Sequence, residues 1–354
     1  MIQINMPVQG SIIGIDLGTT NSIMAYAKQG KASILENVSG QRLTPSVVAY
    51  KEDGTVFVGQ EAKRQAVVNP RNTFSSFKRY LGRTKIEMAQ PKTRVTITFM
   101  LTANNQGIVA FYIPVLERSI VVEELSSHLL RLLINSARKQ LGDDLHKAVI
   151  TVPAYFSNAQ RTGTTNAGKI AGIEVVRIVN EPTAGVFGYI SQCQGKISEY
   201  EIESVCYMLA VFDLGGGTFD VSVVESDLGV VEVKTSCGDV ILGGDDFDNM
   251  IFNWICKYIR SETGLEIDSF SNHSRIKRVV QTAEIAKIEL STLQQTYIRL
   301  PFLAFVDDDV TQFEDIIDSS ESDSGFLVVT IKEIGQETLG KIPKGAHFSR
   351  ILTR

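Results

Sequence analysis

Two stretches of the chain place a carboxylate, a small glycine-rich turn and hydroxyls between apolar runs. One is "IGIDLGTTNSIM" (Ile13 to Met24) and the other is "VFDLGGGTFDVSVV" (Val211 to Val224). Glycine allows backbone conformations and close approaches that a side chain would block. A turn built from it can aim successive N–H groups into one concavity, which suits phosphate oxygens. Gly18, Thr19 and Thr20 could do this in the first stretch, and Gly215, Gly216, Gly217 and Thr218 in the second. Asp16 and Asp213 end apolar strands, where a carboxylate is costly unless it meets a cation. A Mg²⁺ held through water by these carboxylates and by phosphate oxygens would offset that cost. Two facing turns of this kind predict a clamp that closes on a triphosphate from opposite sides. The chain has no G-x-x-x-x-G-K-[ST] and no G-x-G-x-x-G opening a helix after a strand, so the phosphate site is a hairpin design.

The elements that must carry these turns follow from the pattern. Short β-rich runs from Ser11 to about Val58 lead into helical periodicity in "QEAKRQAVVNP" and "NTFSSFKRYLG". "RVTITFML" and "IVAFYIP" meet at Asn104-Asn105-Gln106-Gly107, good hairpin chemistry. An amphipathic helix is expected over roughly Val122 to Leu141, ended by Gly142. "KAVITVP" reads as a buried strand, "SNAQRTGTTNAGKIAG" as a helix with a Ser or Asn cap, and "EVVRIVNEP" as a strand followed by another helix. The strand-turn-strand pattern restarts at Met208, and helices follow at about Asp246 to Gly264 and His273 to Ser291. Alternating strands and helices, begun twice by a hairpin, predict a duplicated, layered α/β architecture.

Composition narrows the function. The 354 residues are 44% hydrophobic and 21% charged, with a net charge of −5. A mildly acidic chain offers no basic stripe for nucleic acid. No apolar run reaches the ~20 residues of a membrane span, and "MIQINMPVQG" lacks the regions of a secretory signal. Cys193, Cys206, Cys237 and Cys256 form no C-x-x-C pair, as expected of reduced thiols in a cytoplasmic protein. From Phe305 to Ser324 there are eight acids and no base, and from Gly325 to Arg354 five bases and two acids. The acidic, serine-rich run reads as a solvated loop or linker.

Taken together, the residues resemble the nucleotide-binding domain of the seventy-kilodalton heat-shock chaperones, DnaK type. The phrases that carry the resemblance are "GIDLGTTNS" (14–22), "TPSVVAY" (44–50), "VGQEAKRQAVVNPRNTFSSFKRYLGR" (58–83), "AVITVPAYF" (148–156), "NEPTA" (180–184), "FDLGGGTFDVS" (212–222), "LGGDDFD" (242–248) and "AEIAKIELS" (283–291). The resemblance implies an actin-like ATPase fold, a duplicated ribonuclease-H-like α/β design with two lobes around a nucleotide cleft. Lobe I would span 1–192 and an incomplete lobe II 193–305, with 306–354 a divergent acidic then basic tail. It also implies an ATP-binding and ATP-hydrolysing chaperone of protein folding and the stress response, with ATP, ADP and Mg²⁺ as its ligands.

The family's roles carry over position by position. Lys78 matches the lysine at the transferring phosphate and attacking water, and Glu181 the acid near magnesium and water. Asp16, Asp213 and Asp220 match carboxylates around the metal and water; Asp16 and Asp213 would hold the metal through water, and Asp213 would orient the nucleophile. Thr19, Thr20 and Thr218 match phosphate-loop hydroxyls. Asn21, Gly243 and Gly244 belong to the phosphate-binding phrases, and Glu284, Lys287 and Ser291 to the helix face that holds ribose and adenine. Pro153 and Arg161 match a pair that relays hydrolysis to a partner domain. By the same resemblance, a J-domain co-chaperone and a nucleotide-exchange factor are the expected partners.

Some features depart from the family. Thr165 and Asn166 replace a charged pair, and Gly185 and Gly188 loosen the helix after "NEPTA". The second adenosine motif, Gly-Gly-Ser-x-Arg, is not found after Ser291, so base selectivity and turnover are expected to be weak. No peptide-binding domain is recognisable, so clamping of unfolded clients is not expected. Beside the ATPase reading stand a degenerate nucleotide-binding module without turnover and a gene fragment.

Overall fold

In a computed structural model of the chain, residues 11–28, 31–89, 97–193, 207–227, 230–263, 273–294, 296–300 and 328–330 are described. The chain divides into two compact units, one of 1–65, 71–94 and 99–243, the other of 66–70, 95–98 and 244–354.

The first unit opens with β1 (Ser11–Asp16), β2 (Asn21–Lys28) and β3 (Lys31–Leu35), followed by β4 (Thr44–Pro45), β5 (Val47–Tyr50), β6 (Val56–Val58) and helix α1 (Gln60–Gln65). After β7 (Thr73–Ser75) come a 3₁₀ turn at Phe77–Tyr80, the short α2 (Lys85–Met88), β8 (Met100–Ala103), β9 (Val109–Ile113) and β10 (Arg118–Val121). Then α3 (Val122–Leu141), β11 (Leu145–Val152), α4 (Asn158–Ala171), β12 (Glu174–Asn180) and α5 (Glu181–Cys193) alternate. The unit ends with β13 (Tyr207–Leu214), β14 (Phe219–Asp227) and β15 (Val230–Asp239).

Its main sheet runs β12-β11-β1-β2-β3, with β4 paired to β2. β1 lies parallel to β11 and antiparallel to β2, so the first glycine turn joins neighbouring strands. Alternate residues of β1, Ile13 and Ile15, are fully buried, as are Ala148, Ile150 and Val152 of β11. That period of two is the pattern of a strand with one face in a core. β13, β14 and β15 form a separate antiparallel sheet in which Asp213 faces Asp220.

The capping residues act where the sequence places them. Ser157 opens α4 with a reciprocal bond pair to Gln160, and Gly142 (φ 98°) ends α3. In the hairpin between β8 and β9 the Asn104 side chain accepts bonds from the N–H groups of Gln106 and Ile108, and Gly107 takes φ 78°. One expectation fails. "NTFSSFKRYLG" reads as helical, yet it forms β7, then Ser76 in the left-handed region (φ 54°), then the 3₁₀ turn. Pairing of β7 with β5 and burial of Phe74, Phe77 and Tyr80 override the local helical period. Phe74 stacks on Phe111, and Tyr80 meets Phe111 edge-on.

The second unit contains α6 (Gly244–Thr263), α7 (His273–Leu290), β16 (Tyr297–Arg299) and β17 (Val328–Thr330). Phe252, Ile255 and Ile259 of α6 pack with Ile276, Val279, Ala283 and Ala286 of α7, and Ile298 and Leu300 complete this core. β16 and β17 pair antiparallel. Apart from 328–330, the expected tail (306–354) lies outside the described residues, as do 194–206.

Candidate functional site

The first turn follows directly from its glycine. A Cβ added to Gly18 would lie 2.0 Å from the Asn21 carbonyl oxygen, so no other residue closes this turn without moving backbone. Ser46 braces it. Its hydroxyl donates to the Gly18 carbonyl (2.8 Å), its N–H to the Thr20 carbonyl (2.9 Å), and its oxygen sits 3.0 Å from the Ser22 hydroxyl. Asp16 leads into the turn, exposed, and accepts a bond from the Thr151 hydroxyl (2.9 Å).

The second turn is closed by the Gly215 N–H, which donates to the Thr218 carbonyl at 2.9 Å. Its remaining glycines are demanded by other segments. A Cβ on Gly216 would fall 1.9 Å from the Thr20 hydroxyl oxygen, and one on Gly217 within 2.9 Å of the Thr19 side chain. The tips of the two turns therefore touch, side by side, so a phosphate chain would be met by their shared rim. Gly243 backs the second turn, since its Cβ would lie 2.5 Å from the Gly216 carbonyl carbon and the Gly217 nitrogen. Arg79, buried, holds this corner by donating to the carbonyls of Gly217 (3.3 Å) and Ile241 (3.1 Å).

Lys78, next to Arg79 on the 3₁₀ turn, is only 5% exposed. Its ammonium donates to Glu181 Oε1 at 2.9 Å and stands 5.4 Å from the centroid of the Phe156 ring. Glu181 is the first residue of α5. Burial pushes its carboxyl up; Lys78 pulls it down, while Asp16 and Asp213 push it further up. Asp213 is likewise raised by burial and by Asp16 and Asp220, against Lys78. Asp220, 2% exposed, is pushed up to about 6, by burial first and then by Glu181. Its Oδ1 meets no hydrogen-bond donor among the described residues. Glu181, Asp213 and Asp220 thus share the influence of one buried lysine, with Asp16 beside two of them, an excess of negative charge that a cation would compensate.

That excess bears on Mg²⁺. Among the described residues no three acidic, cysteine or histidine side chains converge closely enough to hold a metal directly. Contact through water remains open to Asp16 and Asp213, and the raised acids and the orphaned Asp220 oxygen fit a divalent cation nearby. At the end of β11 the Arg161 guanidinium donates to the carbonyls of Phe156 (3.1 Å) and Ala154 (3.0 Å), fastening the loop that begins at Pro153.

The second unit brings together its own candidates. The Lys287 ammonium donates to Asp248 Oδ2 (2.6 Å) and to the Gly244 carbonyl (3.1 Å), and the Ser291 hydroxyl donates to the Lys287 carbonyl (3.3 Å). Burial pushes Asp248 up to about 7, although Lys287 opposes the shift. Among the described residues two of the three donors of Lys287 are occupied, which leaves one for a ligand.

Arg79 and Ser46 are brace residues that the sequence reasoning missed. Neither has a local signal, because their partners are distant in sequence: Arg79 reaches across 138 and 162 residues, and Ser46 across 28.

The chain is also similar to known proteins. Residues 12–321 match the family model described as Hsp70 protein. The chain is 46% identical over 296 residues to the stromal 70 kDa heat shock-related protein, chloroplastic, of Pisum sativum, covering 84% of this chain and 40% of that protein. It is 46% identical to a chaperone protein dnaK of Emiliania huxleyi (83% and 45%), and 47% identical to heat shock 70 kDa protein 6, chloroplastic, of Arabidopsis thaliana (84% and 39%). The chain spans under half the length of these curated relatives. Two of the three are named as chloroplast proteins, which does not single out the cytoplasm expected from the sequence. No helix among the described residues is long and apolar enough to cross a membrane. With a family match across most of its length, the chain belongs to the Hsp70 family and has the actin-like ATPase fold of that family.

Proposed function

We propose that the chain binds ATP and ADP with Mg²⁺ and hydrolyses ATP as an Hsp70-type chaperone. The observation that carries this reading is the contact between the two glycine turns, edged by Asp16, Glu181, Asp213 and Asp220 and faced by the buried Lys78. Backbone N–H groups and the hydroxyls of Thr19, Thr20 and Thr218 bind phosphate oxygens at the rim of the turns. Asn21 and Gly243 complete that surface. Asp16 and Asp213 would hold Mg²⁺ through water, and the ion would supply charge neutralisation on the phosphate. Lys78, held by Glu181, stabilises charge as it develops on the transferring phosphate. Such preorganised charge is the largest single contribution in many enzymes. Asp213 orients the attacking water, and Glu284, Lys287 and Ser291 bind ribose and adenine. A J-domain protein and a nucleotide-exchange factor are the proposed partners.

Thermal unfolding with and without Mg-ATP tests binding. At ~100 times its dissociation constant the ligand adds roughly 2.7 kcal/mol of stability. Absence of a thermal shift in a cooperatively unfolding sample overturns the phosphate-binding reading. Single-turnover hydrolysis then tests catalysis: a protein that binds Mg-ATP and leaves it intact is a nucleotide-binding module instead.

A further inference from the structure

Asp16 has a partner on the neighbouring strand. In the parallel pairing of β1 with β11 it lies in register with Thr151, and residues paired in this way project from the same face of a sheet. The Thr151 hydroxyl donates to Asp16 Oδ1 at 2.9 Å. The donor is rigidly carried. Thr151 stands between Ile150 and Val152, both fully buried, in a strand with β1 on one side and β12 on the other. Branching at Cβ further limits the directions its hydroxyl can take. The acceptor is under electrostatic pressure. Asp16 pushes the carboxyls of Glu181 and Asp213 up, and repulsion is mutual, so both acids press the Asp16 carboxylate away from the site. A short side chain with two rotatable bonds yields to such pressure by turning. The bond from Thr151 opposes that turn, and a hydroxyl bound to a carboxylate is among the stronger hydrogen bonds.

We propose, resting on the reading above in which Asp16 would hold Mg²⁺ through water, that Thr151 is a positioning residue of the metal site. It keeps the Asp16 carboxylate beside Glu181 and Asp213 by engaging one oxygen. A carboxylate accepts through both oxygens, so the other serves water around the ion. Thr151 touches neither ion nor nucleotide in this role, and its whole contribution passes through Asp16. The consequence is specific to the loaded site. With the ion present, a fixed Asp16 strengthens nucleotide binding. Without the ion, a carboxylate held beside phosphate only repels it, so freeing Asp16 leaves metal-free binding equal or slightly tighter. Damage to the fold has a different signature, because it weakens nucleotide binding with and without metal alike.

Titration of the full chain with ADP, once in Mg²⁺ and once in EDTA, tests the proposal. The ratio of the two dissociation constants measures the coupling between ion and nucleotide. Thr151→Val keeps the branched shape and removes the hydroxyl. It is expected to cut the ratio on the order of tenfold, the worth of a hydrogen bond to a charged group, with affinity in EDTA unchanged or slightly higher. Thr151→Ala removes the same hydroxyl from a smaller side chain and should lose as much coupling. Thr151→Ser returns the donor and should return the ratio. In an Asp16→Asn background, Thr151→Val should change the ratio no further, since the threonine acts only through Asp16. A parent whose ADP affinity ignores Mg²⁺ would overturn the metal reading itself. With coupling present in the parent, three results would overturn the role of Thr151 alone: a parental ratio in Thr151→Val, equal losses in Mg²⁺ and EDTA, or no recovery in Thr151→Ser.

Discussion

The two glycine turns are spelled almost alike and are held in different ways. The first is closed by its own glycine, braced by Ser46, and continues into a six-stranded sheet with a neighbour on either side of β1. The second stands at the tip of a three-stranded sheet, and the contacts that require its glycines come from elsewhere: Thr19, Thr20, Gly243 and Arg79. Their carboxylates differ to match. Asp16 is exposed and accepts a bond from Thr151, whereas Asp213 is raised and Asp220 is buried with one oxygen unmet among the described residues. A repeated motif therefore gives one turn that is complete by itself and one that depends on its surroundings for shape and on a ligand for charge. The group that links them is Lys78, which opposes the shifts of Glu181, Asp213 and Asp220 alike.

Removing that lysine has the largest expected effect. Lys78→Ala should lower single-turnover hydrolysis on the order of a hundredfold, the loss typical of a positioned transition-state charge. It also leaves Glu181 buried without its cation, and breaking a buried pair from one side costs about 3–5 kcal/mol. Adding Glu181→Gln to Lys78→Ala should recover most of the stability and none of the hydrolysis. A Lys78→Ala protein that keeps both stability and rate would show that the two turns are not linked through this residue.

The next test concerns the charge left in the second turn. The carboxyl of Asp220 is raised in the folded protein from 3.8 to about 6. The folded state therefore binds the proton more tightly than the unfolded state, and stability falls as pH rises from about 4 to about 6. Above that range the full cost remains, at most about 3 kcal/mol for two pKa units. Asp220→Asn should accordingly stabilise the ligand-free protein at pH 7, and the gain should vanish as pH falls towards 4. Asp248, raised to about 7, has the same sign, so the comparison must be variant against parent at each pH. Denaturant titrations at several pH values, repeated with Mg-ATP, supply it. The gain should shrink with Mg-ATP if the ion offsets the charge of Asp220, and a gain unchanged by Mg-ATP would separate Asp220 from the ligand.

Glycine substitutions test the difference in support. Gly243→Ala places a Cβ against the backbone of Gly216 and Gly217, and overpacking of this kind costs about 1–3 kcal/mol. Gly215→Ala meets the Thr218 carbonyl oxygen at 3.5 Å, an ordinary contact, and should change stability by less than about 0.5 kcal/mol. Equal costs in thermal unfolding would mean that Gly243 does not shape the second turn.

Much of this arrangement is legible in the sequence because it is local. Glycine turns between apolar strands, the Ser157 cap, the Gly142 stop and the hairpin at Asn104 each depend on residues a few positions apart. The segment around Lys78 is misread for the opposite reason. Its aromatic residues repeat with a helical spacing, but Phe74 and Tyr80 pack against Phe111 of another sheet and Phe99 just before that sheet's first strand, and β5 recruits Thr73–Ser75 as a strand. Arg79 is invisible for the same reason, since nothing next to it announces Gly217 or Ile241. The candidate phosphate ligands could be read from the chain; the residues that hold them in place could not.

The smallest expected effect separates the braces of the two hairpins. Ser46 has a single hydroxyl proton, which goes to the Gly18 carbonyl, so the Ser22 hydroxyl at 3.0 Å donates to Ser46. Ser46→Ala removes both bonds and leaves a buried hydroxyl unmet, for a loss of about 1–2 kcal/mol. The second hairpin has a similar pair, Ser222 and Ser236, with their hydroxyl oxygens 2.8 Å apart. Ser222→Ala should cost a comparable amount. The pairs differ in what they hold: Ser46 grips the carbonyl of the turn itself, whereas Ser222 joins two strands in mid-sheet. Nucleotide titration should therefore show weakened binding for Ser46→Ala and unchanged binding for Ser222→Ala, although both proteins melt earlier than the parent. Equal affinities in the two variants would mean that the first turn keeps its shape through Gly18 and the Ser46 N–H alone, and its independence of its surroundings would be greater than the hydroxyl bonds imply.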